Sequence, residues 1–219
     1  MEDALRILKN TVLFAGLPEE VLLRELLPHG QLQHYTKEQF LIEPQQQVNR
    51  LGVILSGKIH ILHLFSEGTC SLMSALTTGE IVGADLICTR SQRSPYHAVA
   101  AEPACVLYFP AALLTQPGFL QEKARLDALN RLLTLISQEN MKKTYRLAIL
   151  SQKGLRERIV TYLTMQAARL QCNTFSIPFS RDELASFLCV NRSALSHELS
   201  LMQQEGMISF HKNRFTIHP

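Results

Sequence analysis

Apolar and polar positions follow one another in three textures along the chain. Over residues 1–30 apolar residues recur at helical spacing: Leu5, Leu8 and Val12 share one face. A second helix start is written in Leu17-Pro18-Glu19-Glu20, where a proline at the entry precedes two acids in the first turn. From Leu32 to Pro110 the period shortens to runs such as Leu51–Leu55, Lys58–Phe65 and Ser71–Ala75, broken at Gly52, Gly57, Gly68, Gly79 and Gly83. Runs of this length between Ser-Gly, Glu-Gly and Thr-Gly pairs predict consecutive antiparallel strands. Several of them at this spacing predict a jelly-roll-like barrel, which rolls up to protect its edges.

The third texture begins at Gly118. No proline interrupts Gly118 to Leu150, and Phe119, Leu126, Leu129, Leu133, Ile136, Leu147 and Leu150 fall on the a and d positions of one heptad register. Glu122, Asn140 and Lys143 interrupt that seam, and Leu132 and Leu135 lie off it, available for packing on the barrel. A heptad stripe on so long a helix predicts a two-stranded coiled coil, so we expect a homodimer through Leu126, Leu129, Leu133 and Ile136. Beyond Ser151 the pattern predicts a helix to about Gln171, a short strand over 175–179, two helices between Ser180 and Gln204, and a hairpin from Met207 to Ile217 turning near Lys212-Asn213.

Composition narrows the class. The chain has 219 residues, 46% hydrophobic and 19% charged, with ordinary Gly and Pro counts, which excludes disordered and collagen-like chains. The most apolar stretch, Ala98 to Leu114, is interrupted by Glu102, Pro103 and Pro110, so no membrane-spanning helix is expected. Glu2 and Asp3 precede the first apolar residues, and no secretory leader is expected. The odd set Cys70, Cys88, Cys105, Cys172 and Cys189 has no C-x-x-C spacing, which suits a reducing cytoplasm. Net charge is +3, and its distribution matters more than its size. Residues 1–147 are neutral overall, so the whole basic excess lies in the last third and points any polyanion contact there.

That last third carries the clearest chemistry. Ser180 with Glu183 three residues on is a capping box, Leu184 and Leu188 point inward one turn apart, and Ala185 leaves room for a second helix. Cys189-Val190 makes a short turn and Asn191 caps the next helix. There Leu195, Leu199 and Met202 share the buried face, while Arg192, Ser193, Ser196, His197 and Ser200 share the opposite one. Two short helices so joined, the second polar on its outer N-terminal face, form the helix-turn-helix pattern. Arg192, Ser193, Ser196 and His197 are candidates to read base edges. Ser180 and Arg181 at the first helix start, with Lys212 and Arg214 in the trailing wing, are candidates for phosphates.

The segment Asn191-Arg192-Ser193-Ala194-Leu195-Ser196-His197-Glu198-Leu199, continuing through Gln204-Glu205-Gly206-Met207-Ile208, resembles the recognition helix of the CRP/FNR family of bacterial transcription regulators. Leu13-Phe14-Ala15-Gly16-Leu17, Leu51 to Lys58, Gly79-Glu80-Ile81-Val82-Gly83 and Gly154 to Ile159 resemble its N-terminal entry, barrel strand, phosphate-binding cassette and post-hinge helix, in the family's order. The resemblance implies an α+β chain: a cyclic-nucleotide-binding-like, cupin-like β-barrel over 1–117, a long dimerisation helix and hinge over 118–150, and a winged helix-turn-helix over 151–219. It implies a cytoplasmic homodimer that binds palindromic double-stranded DNA, works with RNA polymerase and answers to a small-molecule effector, with no enzymatic activity.

The effector is expected near Gly83, Ala84, Arg93 and Ser94, between barrel and long helix, with Asn140, Lys143 and Thr144 as further contacts. Cyclic-AMP-binding members follow the cassette glycine with a glutamate that holds the ribose; here Ala84 stands there. The Arg93-Ser94 pair fits the phosphate only with a shifted loop, which Pro95 stiffens, so cyclic AMP is not expected. Cys189 stands where the family's turn often has glycine, and a differently shaped turn is expected. His197 replaces a common base-reading arginine. An iron–sulfur cluster would need grouped N-terminal cysteines, yet the first is Cys70. Haem stays open through His63, His97 or Cys88, none of which the pattern selects. His60 and His63 point to opposite faces and make no shared metal site. The rival reading is an effector-binding module or cupin-like enzyme without specific DNA binding.

Overall fold

The computed structural model describes residues 2–64 and 70–218, so Phe65 and Gly68 of the expected strand and turn lie outside the described residues. The chain divides into two compact units, Met1–Asn140 and Met141–Pro219. In the first, α1 (Glu2–Asn10) buries Leu8 but leaves Val12, beyond its end, exposed. Pro18 caps α2 (Glu19–Val21) from outside the helix, and the chain continues through a π turn (Leu22–Leu26) and a 3-10 turn (Leu27–His29).

Eight strands follow: β1 (Gln31–Tyr35), β2 (Phe40–Ile42), β3 (Arg50–Ser56), β4 (Ile59–Leu64), β5 (Cys70–Leu76), β6 (Ile81–Val82), β7 (His97–Ala100) and β8 (Ala104–Pro110). They form two antiparallel sheets, ordered β1-β8-β3-β6 and β2-β7-β4-β5. Alternation decides what fills the space between them. Ala98 and Ala100 of β7 point inward with Ile59 and Ile61 of β4, and meet Ile54, Val106 and Tyr108 of the other sheet. Gly52 is required by close approach: a Cβ there would lie 2.6 Å from Val106 and 2.7 Å from the Tyr108 ring. This is the jelly-roll barrel the alternation predicts.

A second core lies on the outer face of the first sheet. Leu51, Val53, Leu107 and Phe109 pack there against the N-terminal turns, α3 (Ala112–Thr115) and α4 (Glu122–Leu150). Helix α4 begins four residues later than the expected Gly118, and the Gln121 N–H just before it donates to Glu25 Oε2 at 2.7 Å. Its barrel-facing stripe is Ala124, Ala128 and Leu132, spaced four apart and buried, with Leu135 beside them.

The residues of the expected seam differ in exposure. Leu126 and Leu133 are 48% and 64% exposed, but Leu129 and Ile136 are half-buried against the barrel core. At 3.6 residues per turn the d positions lie about 60° round the helix from the a positions, on the side of the barrel-facing stripe. The exposed face of α4 in this unit carries Leu126 and Leu133.

In the second unit the expected helix after Ser151 starts only at Leu155: α5 runs Leu155–Leu170, after a break at 151–154. The expected strand over 175–179 is shorter and earlier, β9 (Thr174–Ser176). Then come α6 (Arg181–Phe187), α7 (Arg192–Gln204), β10 (Ile208–His211) and β11 (Arg214–Ile217), the strands ordered β10-β11-β9. Ile149 from the end of α4 joins this unit's core with Leu163, Leu184, Leu195, Leu199 and Phe215.

Candidate nucleic-acid interface

Local chemistry sets both helices of the pair. The Ser180 hydroxyl accepts from the Glu183 N–H at 3.3 Å and the Glu183 carboxylate accepts from the Ser180 N–H at 2.6 Å, closing the capping box. The Asn191 side chain accepts from the Ala194 N–H at 3.2 Å and starts α7. Between them Cys189 takes φ +58°, the left-handed form, so the expectation of a differently shaped turn is corrected: a cysteine occupies the glycine-like conformation. The Val190 N–H bonds the Ala185 carbonyl at 3.0 Å and the Cys189 N–H bonds that of Ser186 at 3.2 Å, a Schellman ending that offsets the strain of a left-handed non-glycine residue.

Leu195, Leu199 and Met202 of α7 are fully buried, which turns Arg192, Ser193, His197 and Ser200 to solvent; Ser196 is half-buried rather than exposed. The Arg192 guanidinium donates to Asp182 Oδ2 at 3.1 Å, so the candidate base reader is held against α6 by an exposed ion pair. Arg156 of α5 donates to Glu198 at 2.6 Å and, through two nitrogens, to Glu205 at 2.7 and 3.0 Å, tying the far half of α7 to α5. These carboxylates, Glu205 first, raise the Arg156 pKa.

The candidate phosphate contacts fall into two kinds. Lys212 at the wing tip (φ +53°) and Arg214 are exposed. Arg181 is half-buried: its guanidinium lies 4.9 Å from the Phe210 ring and 5.6 Å from that of Phe215, and donates to the Lys212 carbonyl at 3.1 Å. Burial, with Arg192 nearby, lowers its pKa. The structure thus joins Arg181 to Lys212 and Arg192 to Asp182, with Ser180 at the N-cap between them.

The candidate effector residues of the barrel lie in one loop. Gly83 (φ +82°) is packed under the Arg50 carbonyl and Val48, and Ala84 is buried. Main-chain bonds zip the loop to residues 45–48: Gln45 N–H to the Ser94 carbonyl at 2.8 Å, Ser94 N–H to that of Gln46 at 3.0 Å. The fully buried Ser94 hydroxyl donates to the Tyr96 carbonyl at 2.7 Å and accepts from the Tyr96 N–H at 3.2 Å. Exposed Arg93 donates to the Gln45 carbonyl at 2.8 Å. The Tyr96 hydroxyl donates to Asp85 Oδ1 at 2.7 Å; burial first, then Asp85, raises its pKa. Asn140, Lys143 and Thr144 are exposed on α4, the first in one unit and the other two in the second. His60 is half-buried and His63 exposed, and no group of three His, Cys, Asp or Glu among the described residues is placed to hold a metal ion.

Comparison with known proteins agrees with both units. Residues 32–116 match the cyclic nucleotide-binding domain, and residues 157–218 the Crp-like helix-turn-helix domain. The chain is 26% identical over 187 residues to the anaerobic regulatory protein of Haemophilus influenzae, covering 83% of this chain and 70% of that one. It is 27% identical over 179 residues to the transcriptional activator protein anr of Pseudomonas aeruginosa, covering 79% and 70%. Among solved structures it is similar to the regulator CLP of Xanthomonas campestris, described as c-di-GMP responsive, with TM-score 0.68 and 17% identity over 90% of this chain and 98% of that one. FixK2 of Bradyrhizobium japonicum gives TM-score 0.65 at 16% identity over 87% and 93%.

The chain belongs to the CRP/FNR family of transcription regulators.

As a CRP/FNR regulator it carries the family's helix-turn-helix on α6 and α7 and its nucleotide-binding-type fold in the barrel. Ala84 offers no acceptor to a ribose hydroxyl, and the Ser94 hydroxyl is already engaged in both directions by Tyr96. Sequence reasoning passed over Asp85, Asp182 and Tyr96, whose pairing is settled by tertiary packing alone. It also passed over Arg146, a buried charge on α4 with no local signature.

Proposed function

We propose that this regulator is a homodimer that binds palindromic double-stranded DNA through α7 and is controlled by a small effector in its barrel. In this reading residues 1–117 sense the effector, 118–150 dimerise and 151–219 bind DNA. The observation that carries it is the solvent-facing N-terminal half of α7, polar through Arg192, Ser193 and His197, next to a wing that presents Lys212 and Arg214. Arg192, Ser193, Ser196 and His197 read bases; Ser180, Lys212 and Arg214 hold phosphates. Arg181 contributes its charge from the start of α6, beside the wing. Dimer contacts run through Leu126 and Leu133, with Leu129 and Ile136 at the margin against the barrel.

The effector is held near Gly83, Ala84, Arg93 and Ser94, and it is not cyclic AMP. RNA polymerase is the protein partner this reading expects, and it assigns no catalytic step. The cytoplasm is the compartment this reading expects, with Cys88, Cys105 and Cys172 as free thiols. A gel-shift series across salt tests the reading. Retarded bands on a promoter fragment that outlast those on unrelated DNA as salt rises support it; equal loss on both supports an effector module without specific DNA binding.

A further inference from the structure

A helix leaves its last four carbonyls without intrahelical partners. In α6 the Schellman bonds engage those of Ala185 and Ser186. The carbonyls of Phe187 and Leu188 receive guanidinium donors instead: Arg146 Nη2 at 3.3 Å on Phe187, and Arg158 Nη1 at 3.2 Å on Leu188. Arg146 does more than cap. Its guanidinium lies 5.1 Å from the Phe187 ring centre and its Nη2 reaches Cys189 Sγ at 4.0 Å, so it touches the residue before the turn and the left-handed residue at its apex. It is only 8% exposed, a position where an apolar side chain would avoid the desolvation cost a buried cation carries. Arg146 belongs to the last turns of α4, one residue before exposed Leu147 and three before Ile149, which is in the core of the DNA-binding unit.

We propose that Arg146 is a positioning residue for DNA recognition: from the end of the long helix it holds the α6–α7 turn, with Cys189 left-handed, in the form that aims the recognition helix. The proposal rests on the reading of α7 as that helix. Its physical content is that the turn needs an external clamp because its apex is cysteine. Glycine would adopt φ +58° without steric cost, so a glycine there lessens the need for the arginine. The clamp and the apex residue are therefore coupled, and contact-sharing residues show non-additive effects.

The test is a double-mutant cycle in full-length protein, read by fluorescence anisotropy on a duplex selected from a random pool by the wild-type protein, with melting temperatures alongside. Arg146→Met removes the donors and keeps the bulk; we expect operator affinity to fall about tenfold, the size of a lost charge-assisted hydrogen bond. Arg146→Met/Cys189→Gly is expected to recover most of that affinity, whether or not the single variant melts early. A purely space-filling arginine predicts no such rescue. The proposal is overturned if Arg146→Met binds like wild type, if the double variant folds without regaining affinity, or if the double variant fails to fold. Arg192→Ala in the same assay separates the two claims. If it binds as wild type, the recognition-helix reading fails whatever Arg146 does; if it weakens the operator while Arg146→Met does not, only the Arg146 proposal fails.

Discussion

Arg192 illustrates how magnitudes decide a residue's role. Its pair with Asp182 is exposed on both sides, and such pairs are worth roughly 0–1 kcal/mol. A bidentate contact to guanine is worth about 1–3 kcal/mol of discrimination, so the guanidinium can leave Asp182 for a base at a net gain. Arg192→Ala is expected to cost about 1–3 kcal/mol on the preferred site and to relax preference at one base pair, read by quantitative binding to single-substitution duplexes. Lys212, exposed at the wing tip, is expected to behave differently: Lys212→Ala weakens all sequences alike and lowers the slope of log affinity against log salt by about one unit. In the barrel, Ala84 and the doubly engaged Ser94 hydroxyl predict no heat with cyclic AMP at micromolar ligand by titration calorimetry; a clear isotherm would show that the loop opens to accept a phosphate.

At the scale of elements, the two faces of α4 predict opposite outcomes for like substitutions. Leu126→Glu with Leu133→Glu places charges on the free face, and light scattering is expected to show monomers that have lost operator affinity. Leu129→Glu puts a charge against the barrel core and is expected to lower stability by about 1–3 kcal/mol in thermal melts, leaving the dimer. Ser180→Ala removes half of a formed capping box and is expected to cost about 0.5–2 kcal/mol in the DNA-binding unit. The helix-turn-helix was legible in the sequence because its signals are local: Ser180 with Glu183, Asn191 before α7, and the Leu195–Leu199–Met202 stripe act within a turn or two. The division of α4 was not, because Ala124 and Ala128 carry the barrel contact and alanine is a faint apolar signal beside the leucines. Nor was the turn at Cys189, where backbone bonds and the arginines at Phe187 and Leu188 hold a conformation that residue type alone disfavours.

At the scale of the molecule, the neutral first two thirds and the basic last third divide the chain by chemistry: a barrel with an apolar interior, and a unit that presents Arg192 on α7 and Lys212 and Arg214 on the wing. Two copies joined through α4 would present two α7 helices related by a two-fold axis, and the DNA they bind must repeat that symmetry. Selection of duplexes from a random pool by the full-length protein, followed by sequencing and by the mass of the complex, tests this most directly. The expected result is an enriched palindrome whose half-sites are one helical turn, roughly 34–36 Å, apart, bound by one dimer per duplex. No enriched sequence, or an enriched site without two-fold symmetry bound by a single chain, would contradict it.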